Sequence, residues 1–205
     1  MLNENFVFVA VALNLVGSSS YLVATLRGQA RPNRVTWFLW ALAPLIAFSA
    51  ERGEGVGHAS LMTFMVGAGP LLVFVASLVS RHGSWRITRL DVTCGVLSLV
   101  AVALWLVTRD GTVAIALTIT ADGLAAVPTL VKAWQHPRTE SPWIFWLGST
   151  SAAITLLTIE HWDFAHYAFP IYILAICGIL AVLITFRIGD RRPADSPPLV
   201  GSAGS

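Results

Sequence analysis

Charge alternates along this chain from one gap between apolar runs to the next. Arg27, Arg31 and Arg34 fill one gap, Arg81, Arg86 and Arg89 a second, Lys132 and Arg138 a third, and Arg187, Arg191 and Arg192 the last. Of the 13 Lys and Arg residues only Arg52 and Arg109 lie elsewhere. The intervening gaps carry Glu4, Glu51, Glu54, Asp110, Glu160 and Asp163. Loops sorted by charge in this way are the mark of a chain that crosses a membrane repeatedly, with the basic loops in the cytoplasm. Composition agrees, because 56% of the residues are hydrophobic and only 12% are charged, against roughly 25% charged in a soluble domain.

The apolar runs number seven: Asn5–Leu26, Val35–Ala50, Ala59–Ser80, Leu90–Thr108, Thr112–Ala133, Pro142–Thr158 and Ala165–Phe186. The expectation is an all-α polytopic membrane protein of seven transmembrane helices in the cell (inner) membrane. Its N-terminus lies outside and its C-terminus in the cytoplasm. The second and sixth runs are short for a hydrocarbon core of about 30 Å and need a locally thinned bilayer or interfacial residues at their ends. The opening residues lack a basic n-region and a cleavage site, so they read as the first membrane helix rather than a signal peptide. The tail after Arg187 is rich in Pro, Gly and Ser and reads as disordered. With a net charge of +2 and no basic run, nucleic acid is not an expected partner. Cys94 and Cys177 both sit in apolar runs and read as small hydrophobes.

A shift that places Trp37 on Trp143 also places Trp40 on Trp146, Gly17 on Gly123 and Ala47 on Ala153. Each half then has a span, a basic hinge, a short span opening with W-x-x-W, an acidic loop and a third span. The domain expectation follows: a three-helix bundle over 1–80, a linker helix with its flanks over 81–109, a second three-helix bundle over 110–187, and a tail over 188–205. Three spans plus one linker precede the second copy, so the two copies are parallel and related by an axis along the membrane normal.

Asp122 is the acid placed deep within a span, where an ionised carboxylate must face the interior and be paired, hydrated or protonated. It is the leading candidate for binding a polar solute or a coupling proton. Asn14 sits at comparable depth in the first span, and Thr118 lies one turn before Asp122. Polar groups at matched depth in spans one and five suggest a shared cavity, although such residues also serve as plain interhelical glue. Pro128, Pro44 and Pro70 interrupt spans five, two and three and are hinge candidates. Trp37 and Trp143 open their spans at the cytoplasmic interface, with Trp40 and Trp146 a turn deeper; they are read either as an aromatic belt or as a gate. Glu140 is expected to pair with Lys132 or the nearby arginines at that interface. Glu160, His161, Asp163 and His166 have spacings a metal accepts, yet they suit a wet outer loop better, and no metal site is expected.

The stretch Pro128-Thr129 with Lys132, Pro137, Glu140, Ser141 and Trp143, in "VPTLVKAWQHPRTESPW", resembles the PQ-loop superfamily that includes the SWEET sugar transporters. The resemblance implies two parallel three-helix bundles joined by a linker helix, and a transport function. The motif's Pro-Gln is Pro128-Thr129 here, and the first copy has Leu22-Val23 at the equivalent place. Neither third span contains the asparagine that lines the sugar pocket in SWEETs, which argues against sugar. Proton-coupled members carry an aspartate in the fifth helix, which Asp122 resembles.

The leading expectation is therefore a carrier or facilitator of a small-molecule solute, embedded in the lipid bilayer and compatible with a homo-oligomer. The alternative is a non-transporting receptor, sensor or partner subunit. A retinal protein requires a mid-span lysine in the seventh helix, and the one lysine here is Lys132; no cofactor is expected. An enzyme would need a cluster of reactive groups at depth, where only Asp122 stands, so none is expected.

Overall fold

The computed structural model describes residues 6–53, 60–80, 85–108, 111–159 and 162–189. His58, His82, Glu160, His161 and the tail from 190 onward lie outside the described residues. Those described form an all-α bundle of seven α-helices: α1 (Phe6–Leu26), α2 (Arg34–Gly53), α3 (Ser60–Val79), α4 (Arg89–Val107), α5 (Gly111–Gln135), α6 (Trp143–Thr158) and α7 (Phe164–Thr185). A single 3-10 turn, Pro137–Thr139, separates α5 from α6.

Helix ends follow local chemistry. Asn33 starts α2 by accepting the backbone N–H groups of Val35 and Thr36 through its side-chain oxygen. Thr88 and Asp91 form a reciprocal capping box at the start of α4. Gly28, at φ +72°, ends α1, with its N–H bonded to the Thr25 carbonyl at 3.1 Å. Asp163 caps α7 by accepting the His166 N–H, and its carboxylate also lies 2.6 Å from the His166 ring. That pair is thus spent on a helix start, and among the described residues no group of three metal-ligating side chains gathers.

Three helices carry segments long and apolar enough to cross a membrane, Arg89–Val107, Ile115–Gln135 and His166–Thr185; the other four carry shorter apolar stretches. The sides of the bundle expose large apolar side chains. On α4 the buried residues Asp91, Cys94, Gly95, Ser98, Ala101 and Val102 form one helical stripe, while Val92, Val96, Leu99 and Val100 are exposed on the remaining circumference. Apolar side chains this exposed need lipid, not water, as solvent, so the molecule is a multi-pass membrane protein.

Within the bundle α3 packs against both α1 and α2, and α7 against both α5 and α6. The two sets meet where α1 lies along α6 and where α2 meets α5, and α4 covers the α2–α5 side. Gly17 permits the α1–α6 seam, because a Cβ there would sit 3.2 Å from the Ile144 Cα. The α2–α5 seam is polar: Thr36 donates to the Ala125 carbonyl at 2.7 Å and accepts from the Thr129 hydroxyl at 3.0 Å.

Candidate functional site

Between the two sets lies a cavity of about 320 Å³. Its floor, toward the hinges, is made by Trp37 on α2, Phe145 on α6 and Leu180 on α7. These side chains pack with Tyr21 into the main core cluster, with the Tyr21 and Trp37 rings 4.5 Å apart. Toward the opposite end the walls run up to Val11, Val66, Thr155 and Phe169. Most of the lining is apolar.

The polar groups fall on two sides. Asp122, near the middle of α5, lines the cavity and accepts a hydrogen bond from the Tyr172 hydroxyl at 2.6 Å. The Trp40 indole lines the same cavity from α2, with its buried N–H making no hydrogen bond among the described residues. On the other side Asn14 donates to the Ser151 hydroxyl at 2.7 Å, with Ser18 and Thr155 nearby on the wall. Asn14 on α1 and Asp122 on α5 thus line one cavity from the two helix sets. Thr118 is not in it. It lines a smaller adjoining hollow of about 120 Å³ between α2, α4 and α5, which shares Pro44, Asp122 and Phe169 with the larger one.

The prolines divide similarly. Pro44 and Pro70 line the cavity, as does Pro170, which sequence reasoning passed over. Pro128 is buried one turn from Lys132, away from the cavity wall.

The four tryptophans are not equivalent. Trp37 is 1% exposed and Trp40 lines the wall, but Trp143 is 62% exposed and Trp146 38%. The structure does not bring the second pair to the cavity; Trp146 instead donates to the Thr185 hydroxyl at 2.9 Å. The reason is rotation. On α6 the inward stripe is Phe145, Gly148, Ser151 and Ala152, and Trp143, Trp146 and Thr150 occupy the outward stripe. The shared W-x-x-W spacing cannot encode which face a helix turns to its neighbours.

Beneath the floor the hinges are fastened together. Lys132 Nζ lies 2.5 Å from Glu140 Oε1, and both side chains are 0% exposed. Lys132 also donates to the Arg31 carbonyl and sits 5.3 Å from the Trp85 ring centroid. The Tyr21 hydroxyl donates to the other oxygen of Glu140, and the Arg31 N–H to the Thr139 carbonyl at 2.8 Å. The expected Lys132–Glu140 pairing is present, but as a buried pair rather than an interfacial one. Asn33 extends the cluster to α4 by donating to Asp91 at 2.5 Å. Sequence reasoning missed Tyr21, Tyr172 and Ser151 altogether. A lone tyrosine or serine at depth was the available signal, and it does not name its partner.

Comparison with the models of known protein families, with curated proteins and with solved structures finds no match.

Proposed function

We propose that the protein is a carrier or facilitator of a small polar solute, with all seven helices crossing the cell membrane, the N-terminus outside and the hinges in the cytoplasm. The observation that carries this reading is the mid-depth cavity holding Asp122. Cavities near the bilayer midplane at the interface between two helix sets are where alternating-access proteins bind their solutes, and an ionisable side chain at that depth is rare and marks a functional site by default. The packing supports two parallel three-helix units with α4 as linker: α3 touches α1 and α2 as α7 touches α5 and α6. In this reading Asp122 and Asn14 contact the solute, or Asp122 a coupling proton. Trp37 and Trp40, rather than the second tryptophan pair, form the inner seal, and Pro44 and Pro70 provide the bends. The protein acts on its solute by moving it and not by transforming it.

The test is counterflow in sealed proteoliposomes loaded with a solute mixture and assayed with and without a proton gradient. Solute exchange that is lost in Asp122→Asn, with the variant still eluting as a single folded species, is the expected result. The second reading, a non-transporting receptor or partner subunit, draws on the saturated Lys132–Glu140 cluster, which holds the hinge end shut. Solute binding in detergent without exchange in vesicles would favour it.

A further inference from the structure

We propose that the cavity selects a small organic cation, a protonated amine or quaternary ammonium group carried on a single ring or short branched frame. The proposal rests on the reading of the cavity as a solute site and names the chemistry of that solute.

Charge is the first observation. Asp122 is the charged side chain among the described cavity-lining residues, and no Lys, Arg or His stands with it. Its hydrogen-bond partner, the Tyr172 hydroxyl, is a neutral donor. It orients the carboxylate but brings no positive charge. An ionised carboxylate in a low-dielectric interior calls for a counter-charge, and a cationic ligand supplies it where the protein does not.

The walls point the same way. Pro44, Pro70 and Pro170 interrupt α2, α3 and α7 beside the cavity. A proline has no N–H, so the carbonyl four residues before it loses its usual helical donor. Two of those carbonyls belong to Trp40 and Val66, both cavity-lining residues. Each missing donor weakens the helical bonding of a carbonyl beside the cavity, which suits a donor or a cation more than an anion. Trp37, Trp40, Phe145 and Phe169 contribute aromatic surface, and aromatic faces attract cations in desolvated settings.

Size and polarity limit the frame. A volume of about 320 Å³ equals the space of about ten waters, enough for one ring with a short arm. A polyol would place hydroxyls against a mostly apolar wall. The neutral polar side chains Asn14, Ser18, Ser151 and Thr155 cluster on the α1–α6 side alone, and Asn14 is already bonded to Ser151.

The experiment uses the full chain in detergent at neutral pH, with thermal shift and titration calorimetry against three matched probes: phenethylammonium, 2-phenylethanol and phenylacetate. Benzyltrimethylammonium serves as a fourth probe whose charge does not depend on pH. Both cations should bind at least tenfold more tightly than the alcohol, and phenylacetate should not bind. Asp122→Asn should remove the cation preference, bringing both cations to within about twofold of the alcohol's affinity. Equal binding of alcohol and cation by the unmodified protein overturns the proposal without recourse to any variant, as does the absence of cation binding. Failure here is distinguishable from failure of the carrier reading. Cation binding without vesicle exchange sinks the carrier and keeps the site, whereas exchange of a neutral solute that requires Asp122 keeps the carrier and sinks the cation.

Discussion

Helix α5 carries two ionisable side chains inside the bundle, and their surroundings are opposite. Lys132 is saturated: a carboxylate, a backbone carbonyl and an aromatic ring surround it, and its partner Glu140 has Tyr21 on the other oxygen. Asp122, ten residues earlier and so about 15 Å along the axis, has one hydroxyl bond and an open wall. A buried charge whose every partner is supplied by the fold has nothing left to bind and serves to fasten. One with an incomplete set of partners, beside empty volume, is available to a ligand. The difference separates a fastened pair from an open carboxylate on a single helix.

The comparison breaks most readily at Lys132. Lys132→Ala leaves Glu140 buried without its cation, and removing one member of a buried pair costs about 3–5 kcal/mol. Thermal unfolding in detergent should show that loss, and the double variant Lys132→Met/Glu140→Gln should recover part of it. No destabilisation would mean that the hinges are not held by this pair. Tyr21→Phe against Tyr172→Phe sharpens the contrast. Loss of a hydrogen bond to a saturated buried carboxylate should cost about 1.5–3 kcal/mol at Tyr21. Tyr172→Phe should cost about 1 kcal/mol, because water in the cavity can replace the lost donor, and its larger effect should be on ligand affinity. Asp122→Asn should change stability by less than about 1 kcal/mol, with a gain as the expected sign, since it removes an unpaired charge at the cavity wall. A large loss there would put Asp122 with Lys132 as a fastening residue. Trp143→Phe, on the outward stripe of α6, should leave folding and binding within about 0.5 kcal/mol of the parent, whereas Trp37→Phe opens the floor and should weaken both.

The aligned glycines carry a similar lesson. Gly17 and Gly123 coincide under the shift that aligns Trp37 with Trp143, yet a Cβ at Gly17 would meet backbone at 3.2 Å while one at Gly123 would meet the Tyr172 ring at an ordinary 3.7 Å. The halves share an order of packing and differ in what each position touches. Only the first copy turns its tryptophans inward, and only the second carries the acid.

The helices and their approximate limits were legible in the residue order, because a bilayer demands long apolar runs and the chain has few other ways to place its charges. The same logic picked out Asp122 and Asn14 as polar groups at matched depth, and suggested that Glu140 meets Lys132. Tertiary structure alone decided the rest. Whether Trp143 faces lipid, whether Thr118 reaches the main cavity, that Tyr172 and not another side chain meets Asp122, and that the Lys132–Glu140 pair is buried beneath a floor of Tyr21 and Trp37 all depend on the rotation of each helix about its axis. In an apolar solvent both faces of a helix are greasy, so hydrophobic periodicity carries little of that rotation. It is set by close contacts between neighbours, such as Gly17 against Ile144 and Thr36 against Ala125, which no single stretch of sequence contains.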